Sequence, residues 1–289
     1  MPEKINCNLC GSNIKKLYYK INLNNILIDI VGCKECGLVY RYYGLERGEA
    51  EKLYSKDFFE QGYTDKNDLE RLIKTGHRLL EEITKYHTRG KILDVGAGTG
   101  CYLKAAKEQG WEEFGVELSS YATEFARKKF GLEIFNGKLE DARFPDSFFD
   151  VVIMIHTIEH IPDPANFLRE IHRILKKDGI ICLSTPNFDS FNSRRFKEKW
   201  WALKPEYHLY FFSPKTLRAM LKKSKFKIIK IDTSNPIMTT GSLRRIGIPA
   251  GNSQRNFLNK YFSQPKRVIR YLVGKLIQGE IVVCYARKS

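Results

Sequence analysis

Three glycines follow a short apolar run in ILDVGAGTG, at residues 92–100. The apolar residues predict a strand and the residues after the glycines predict a helix, so the glycines lie at a strand-to-helix turn. At such a turn Gly96 and Gly98 let the backbone approach a ligand closely, with the helix N-terminus behind it. Asp94, just before the turn, suits the amino or carboxylate end of a zwitterionic ligand better than a pyrophosphate. Glu117 ends the next predicted strand, where a carboxylate can accept hydrogen bonds from ribose hydroxyls.

Four cysteines form two CxxC pairs near the start of the sequence. The pairs are separated by 22 residues, and a glycine follows the second cysteine of each pair. In a reducing compartment, paired CxxC sequences indicate metal binding rather than disulfides. Four thiolates hold one Zn²⁺ tetrahedrally and leave no position for water or substrate, which predicts a structural site. The predicted ligands are Cys7, Cys10, Cys33 and Cys36.

The elements that must position these residues follow from the apolar pattern. Runs of strand length alternate with helical periodicity over residues 91–184, and KIIKID and EIVVCYA add two later strands to make seven. This alternation predicts βαβ units and an α/β fold, with a mostly parallel sheet covered by helices on both faces. The sheet is assigned to residues 43–289 and a small zinc-ribbon-like module to residues 1–42. Asp68 is expected to cap the helix that precedes the first strand of this sheet.

Positive charge is concentrated in the C-terminal third of the chain. The whole sequence has a formal net charge of +16, and residues 186–289 hold 22 Lys and Arg against 5 Asp and Glu. Such a distribution favours an anionic partner, which can be nucleic acid, an acidic membrane surface or a phosphorylated substrate. A solvated basic face without a partner is the alternative.

The N-terminal residues MPEKINCNLC lack the apolar core of a signal peptide. No stretch approaches the roughly 18 uninterrupted apolar residues of a membrane span. The expected location is therefore the cytoplasm.

These motifs together resemble those of the class I S-adenosylmethionine-dependent methyltransferases. DVGAGTG resembles their first motif and GVELS their second, and GKLEDARFPDSFFDVVIMIHTIEHIPDP resembles the adenine loop, fourth strand and following segment of the ubiquinone-biosynthesis-like branch. The resemblance covers residues 68–232 and implies a Rossmann-like sheet. It also implies that S-adenosylmethionine is the cofactor. The implied contacts are Asp94, Gly96 and Gly98 at the methionine moiety, Glu117 at the ribose, Leu139 and Glu140 at the adenine, and His156 after the fourth strand.

His208 lies in EYHLYFFS, after the fifth predicted parallel strand. It resembles the histidine before a YFS-like run in zinc-bearing sugar C-methyltransferases of deoxysugar pathways, which also begin with a four-cysteine module. The acidic neighbour of that histidine is replaced here by Tyr207, with Glu206 one residue further back. Ligands of such sheets bind outside the carboxyl ends of the strands. His208 is therefore predicted to be the general base that takes the acceptor's proton.

The function predicted from the sequence is S-adenosylmethionine-dependent O-methylation of a small molecule: a sugar, a glycan precursor or a related metabolite. Two alternatives remain, an rRNA methyltransferase with a zinc module and a non-catalytic binding protein on the same fold. The sequence has no NPPY-type motif and no RRM-like or KH-like segment, which disfavours RNA. The basic, partly apolar stretch 254–277 is predicted to be a helix that meets a phosphorylated, lipid-linked or membrane-surface substrate.

Overall fold

The computed structural model describes residues 5–23, 26–43, 56–60, 63–233 and 279–289 of the chain. Two sheets are present in these ranges. Their strands are β1 (Lys15–Leu23), β2 (Ile26–Cys33), β3 (Val39–Arg41), β4 (Lys91–Val95), β5 (Glu112–Glu117), β6 (Ile134–Asn136), β7 (Phe149–Ile155), β8 (Leu175–Pro186), β9 (Tyr210–Phe211), β10 (Phe226–Asp232) and β11 (Ile281–Lys288).

The larger sheet has seven strands in the order β10-β11-β8-β7-β4-β5-β6. Strands β4 to β8 pair in parallel, and β11 runs antiparallel to both β8 and β10. The predicted Rossmann-like, mostly parallel sheet is thus confirmed. Four consecutive residues of β7, 151–154, are fully buried, as expected for a parallel strand covered on both faces. Because β4, β5 and β7 are parallel neighbours, Asp94, Glu117 and His156 lie near the same edge of the sheet.

Helices connect these strands and cover the sheet. They are α1 (Lys56–Glu60), α2 (Lys66–Ile83), α3 (Cys101–Glu108), α4 (Ser120–Phe130), α5 (Pro164–Ile174), α6 (Phe191–Phe196) and α7 (Pro214–Lys223). Short 3₁₀ turns cover Leu139–Ala142, Ile158–His160 and Lys197–Lys199.

One predicted helix start is wrong. The residue that caps α2 is Asp65, whose side chain accepts hydrogen bonds from the backbone N–H groups of Asn67 and Asp68. Asp68 lies inside the helix, where its carboxylate contacts Arg71 at 3.1 Å. Two acidic residues three positions apart both satisfy the N-cap pattern, and only the backbone geometry distinguishes them. At α7 the sequence is less ambiguous, because a serine directly precedes a proline there, and Ser213 caps the helix.

The N-terminal strands form a second, antiparallel sheet in the order β1-β2-β3-β9. Its last strand comes from the chain that follows the larger sheet's fifth parallel strand, with Val39 opposite Phe211 and Tyr40 opposite Tyr210. Tyr40 and Tyr210 also share one apolar cluster with residues of the larger sheet, including Leu93 and Val152. The division of the chain at residue 42 stays a prediction.

Within the part of the chain that the structure describes, no helix has the length and apolar character needed to cross a membrane. The predicted basic helix at residues 254–277 lies outside the described residues.

Candidate active site

The glycine turn joins β4 to α3 in a left-handed backbone conformation. Gly96 has a φ of +76° and Gly98 a φ of +53°, a region that disfavours residues with a side chain. A Cβ at Gly96 would lie 2.8 Å from Oγ1 of Thr157. That hydroxyl donates a hydrogen bond to the carbonyl oxygen of Val95 at 2.9 Å, so the residue after His156 is tied to the turn. The contact with Thr157 requires glycine at position 96, and the positive φ favours glycine at position 98.

Asp94 is a buried carboxyl group without a hydrogen-bond partner among the described residues. Its residue is only 2% exposed, and no hydrogen bond to its side chain is found among the described residues. Burial raises the pKa of Asp94 to about 8, and the charge of Glu117 adds to the rise. An uncompensated buried carboxylate is costly. A cationic amino group bound beside it would supply the missing counter-charge.

Glu117 is 7% exposed and is held by backbone donors on both sides. Its Oε2 accepts a hydrogen bond from the amide of Gly98, and its Oε1 accepts one from the amide of Ser119, each at 2.8 Å. Burial raises the pKa of Glu117, while these donors act in the opposite direction. The carboxylate thus joins the glycine turn to the start of α4.

The predicted adenine contacts lie at the next strand end. Leu139 is buried in a 3₁₀ turn after β6, whereas its neighbour Glu140 is exposed. Leu118 and Phe135, at the ends of β5 and β6, are large apolar residues with 36% and 40% exposure. An exposed apolar surface at this edge suits the face of a purine ring. Sequence reasoning did not single out Leu118, although an apolar residue directly after Glu117 was the available signal.

His156 directly follows β7 and has a strained backbone conformation. Its φ is +55°, and the left-handed region costs a residue with a Cβ roughly 1–2 kcal/mol. Such outliers concentrate at functional sites. The amide of His156 donates to the carbonyl oxygen of Ser184 at 2.9 Å, and its Nδ1 lies 3.3 Å from Oε1 of Glu159. The side chain is 23% exposed. It is therefore a partly accessible imidazole beside a buried carboxylate.

Glu159 is the centre of this histidine cluster, which we define as His156, Glu159, His160 and His208. Glu159 is 1% exposed, and its Oε2 has no hydrogen-bond partner in the described part of the chain. Burial alone would raise the pKa of Glu159, but the hydrogen bond with His156 lowers it, and the nearby imidazoles lower it further when they are protonated. Glu159 is therefore a carboxylate at neutral pH. In the sequence, Glu159 and His160 are only two adjacent residues in the segment after the fourth strand.

His160 and His208 are held by backbone carbonyl groups. Nδ1 of His160 lies 3.0 Å from the carbonyl oxygen of Tyr207, and Nδ1 of His208 lies 2.7 Å from that of Ala202. The two rings meet edge to face with 4.8 Å between centroids. Burial lowers the pKa of both groups, to about 3 for His208, where His160 adds to the effect. Both rings are thus neutral at physiological pH.

The N-terminal sheet positions the segment that carries His208. The amide of Arg41 donates to the carbonyl oxygen of Leu209 at 2.8 Å, and the amide of Leu209 donates to that of Glu159 at the same distance. The chain after His208 is therefore fixed between β3 and the 3₁₀ turn that carries Glu159. Trp200 and Trp201, which precede it, both donate from Nε1 to Oε2 of Glu280, at 3.2 and 3.0 Å.

The four predicted metal ligands lie together. Sγ of Cys7 is 3.4 Å from that of Cys36, Sγ of Cys10 is 3.5 Å from that of Cys33, and all four lie within 4.8 Å of one another. Zinc–sulfur bonds of about 2.3 Å in a tetrahedron separate the sulfur atoms by about 3.8 Å. The cysteine cluster therefore has the dimensions of a four-thiolate zinc site.

Comparison with known proteins places this site in a family context. A family model described as a methyltransferase domain matches residues 64–231, more than half of the chain. Over 179 residues the chain is 33% identical to 2-methyl-6-phytyl-1,4-hydroquinone methyltransferase 1 of Oryza sativa subsp. japonica, covering 60% of this chain and 52% of that protein. Over 103 residues it is 30% identical to the ubiquinone biosynthesis O-methyltransferase of Pseudomonas aeruginosa, covering 34% of this chain and 44% of that protein.

Among solved structures, an S-adenosylmethionine-dependent methyltransferase from Thermotoga maritima aligns with a TM-score of 0.53 and 21% identity, over 83% of this chain and 99% of that one. This likeness concerns the fold. The chain spans about half the length of the plant relatives that it matches.

Proposed function

We propose, from the premise that the chain belongs to the class I S-adenosylmethionine-dependent methyltransferases, that it methylates an oxygen of a small-molecule acceptor. The observation that carries the choice of oxygen is the histidine cluster, because it supplies imidazole bases at the carboxyl end of β7, beside the glycine turn. A hydroxyl acceptor needs such a base, whereas methyl transfer otherwise depends mainly on in-line placement of the two substrates.

The cofactor would be held along the edge formed by β4, β5 and β6. Asp94 would pair with the amino group of the methionine moiety, Glu117 with the ribose hydroxyls, and Gly96 and Gly98 would admit the ligand to the backbone. Leu139 and Glu140 would flank the adenine, the first through its backbone. When bound, S-adenosylmethionine supplies an electrophilic methyl group on a sulfonium. The carboxyl of Asp94 is buried and has no hydrogen-bond partner among the described residues, which supports this arrangement because a bound cation would pair with it.

The proton of the acceptor hydroxyl would pass to His156. The carboxylate of Glu159 orients its ring, as in other base–orienter pairs, and the next residue, Thr157, touches the glycine turn. A contact between His156 and the cofactor, as predicted from the sequence, is compatible with this position. His208 stays a candidate base, and it differs in that a backbone carbonyl rather than a carboxylate orients its ring.

The acceptor class that we propose is a sugar, a glycan precursor or a related hydroxylated metabolite, including phosphorylated and lipid-linked forms. The resemblance of EYHLYFFS and the cysteine pairs to zinc-bearing sugar methyltransferases supports the sugar. Two relatives are named as a methyltransferase of a phytyl hydroquinone and an O-methyltransferase of ubiquinone biosynthesis, and these names support a lipid-linked acceptor. Contact with an acidic membrane surface and a cytoplasmic location belong to the same proposal.

The cysteine cluster would hold one structural Zn²⁺ that organises the N-terminal sheet. Four thiolates leave no open position, so the metal would take no part in the reaction. Elemental analysis of freshly purified protein tests this site. One zinc per chain is the expected result, and four freely titrating thiols without zinc would refute it.

Tritiated methyl transfer tests the function. The protein and labelled S-adenosylmethionine are incubated with fractionated cell extract, and label is expected in the small-molecule or lipid-linked fraction. It should be absent with the His156→Ala variant and present with Glu206→Gln, a matched carboxylate outside the histidine cluster. Label in RNA would favour the rRNA methyltransferase instead, and cofactor binding without label in any fraction would favour a non-catalytic protein.

A further inference from the structure

We propose that Glu159, His160 and His208 form a second metal site, separate from the cysteine cluster, which binds a divalent transition-metal cation. One ligand atom from each of these residues, a carboxylate oxygen and two ring nitrogens, lies within 4.8 Å of the other two. Two imidazoles and one carboxylate are a common ligand set for such cations. This site goes beyond methyl transfer, and metal binding to it can be tested without measuring methyl transfer.

The strongest observation is the state of Glu159. This side chain is 1% exposed, and its two oxygens differ in their surroundings. Oε1 contacts Nδ1 of His156 at 3.3 Å, whereas Oε2 is buried with no hydrogen-bond partner in the described ranges. A buried carboxylate oxygen without a donor is rare in folded proteins because its desolvation is not repaid. A cation at this oxygen would remove that cost.

The two histidines are oriented as metal ligands are. Nδ1 of His208 lies 2.7 Å from the carbonyl oxygen of Ala202 and must carry the proton, since a carbonyl oxygen only accepts. In the neutral ring the lone pair is then on Nε2, the form that binds metals. Nδ1 of His160 also faces a backbone carbonyl oxygen, that of Tyr207, at 3.0 Å, and the backbone of His156 is a second hydrogen-bond partner of this ring. Metal-binding histidines usually donate their other ring N–H to a backbone carbonyl or carboxylate, which fixes the tautomer.

The position of the site indicates its use. Glu159 and His160 follow β7 directly, and Thr157 connects this segment to the glycine turn. Three protein ligands leave at least one coordination position for water or for an oxygen of the acceptor, as in catalytic rather than structural metal sites. A cation here would bind the acceptor oxygen and lower the pKa of its hydroxyl. His208 would then be a ligand, and the proton would go to His156.

Cobalt(II) is the probe for this site. Zinc-saturated protein is titrated with Co²⁺, and bound metals are counted by elemental analysis after gel filtration. The expected result is one Co²⁺ per chain in addition to the zinc, with visible d–d absorption and without the thiolate charge-transfer bands that cobalt in the cysteine cluster would give.

Two variants and a control assign the ligands. Glu159→Gln removes the charge, and His208→Asn keeps a donor for the carbonyl of Ala202 while it removes Nε2. Each should weaken Co²⁺ binding by at least about 10–100-fold, the loss typical of disturbing even the second shell of a metal site. Glu206→Gln, in the same segment as His208, should bind Co²⁺ like the unaltered protein.

The proposal is overturned if no cobalt binds beyond the cysteine cluster, or if binding persists in both variants. Circular dichroism and the affinity for S-adenosylhomocysteine serve as folding controls. If Glu159→Gln does not fold, the contrast between His208→Asn and Glu206→Gln decides the question alone. The measured quantity is the metal content of the protein. If this site does not bind metal, the proposal that His156 is the base in methyl transfer therefore still stands.

Discussion

The proposed cofactor end and the proposed acceptor end of this site are built in different ways. The cofactor end, from Asp94 to Glu140, uses consecutive strand ends of one sheet, and its contacts join neighbouring motifs, as between Gly98 and Glu117. The acceptor end joins the turn after β7, the segment before β9 and the N-terminal sheet. The first end is therefore encoded in local sequence, whereas the second depends on long-range pairing. It should therefore be possible to disable cofactor binding without affecting the acceptor end, and the acceptor end without affecting cofactor binding.

Removal of zinc should have the largest effect and should separate the two ends most clearly. The binding free energy of a structural zinc is in large part folding free energy, about 10–16 kcal/mol in small zinc domains. Cys33→Ser, or treatment with a chelator, should unfold the N-terminal sheet and release the segment of His208. Methyl transfer should be lost while the affinity for S-adenosylhomocysteine, measured by calorimetry, changes little. A zinc-free protein with full turnover would show that the two ends are not separate in this way.

Substitution of the proposed base, His156, should reduce turnover and leave the affinity for the cofactor unchanged. General-base catalysis typically contributes about 10²–10⁴-fold, so His156→Ala should lower kcat by a factor in that range. The affinity for S-adenosylhomocysteine should stay within a few-fold of the original. His208→Ala is the paired variant. An equally large loss of turnover in a folded His208→Ala protein, with His156→Ala unaffected, would assign the base to His208 instead.

A substitution in the glycine turn should have the opposite effect and weaken the binding of the cofactor. Gly98→Val introduces a branched side chain at a φ of +53°, at the point where we propose that the ligand approaches the backbone. The affinity for S-adenosylmethionine should fall more than 100-fold, which corresponds to about 2.7 kcal/mol. Gly110→Val is the control, because Gly110 also has a positive φ but a Cβ there would meet no atom within 4 Å. Equal calorimetric affinities for the Gly98→Val and unaltered proteins would contradict the proposed cofactor site.

A further expected effect concerns pH and Asp94. Its pKa rises from an ordinary value of 3.8 to about 8 on burial, so the folded, ligand-free protein binds a proton that the unfolded chain has released. This proton contributes stability below the unfolded pKa, and the contribution declines by at most about 1.4 kcal/mol per pH unit up to the folded pKa. Asp94→Asn should remove this decline. Urea unfolding at pH 5, 6.5 and 8 measures it, and parallel curves for both proteins would contradict it.

Sequence patterns predicted the parts of the molecule that depend on short-range order. The glycine turn and each CxxC pair lie within one or two adjacent elements, where residue spacing reflects geometry directly. The seven-stranded sheet is much longer, but it repeats a strand–helix alternation that is itself local. The cap of α2 was misassigned because Asp65 and Asp68 satisfy the same rule.

Other features could be identified only from the folded structure. Nothing in the sequence around Tyr210 indicates that it pairs with Tyr40, because a strand of two residues has no periodicity of its own. The central place of Glu159 could not be predicted either, since three of its neighbours are histidines that the chain brings together from both sides of α5. The shared contact of Trp200 and Trp201 with Glu280 is likewise a product of the assembled sheet.

The pairing of β3 with β9 also has a consequence for synthesis on the ribosome. Strand β3 emerges long before its partner, since roughly 170 residues separate Arg41 from Tyr210, and at 5–20 residues per second this interval lasts roughly 10–30 s. During that time one edge of the nascent N-terminal sheet has no strand beside it, and unpaired edges invite association with other chains. Early metal capture by the cysteines would hold this edge in its final shape until translation delivers the strand that covers it.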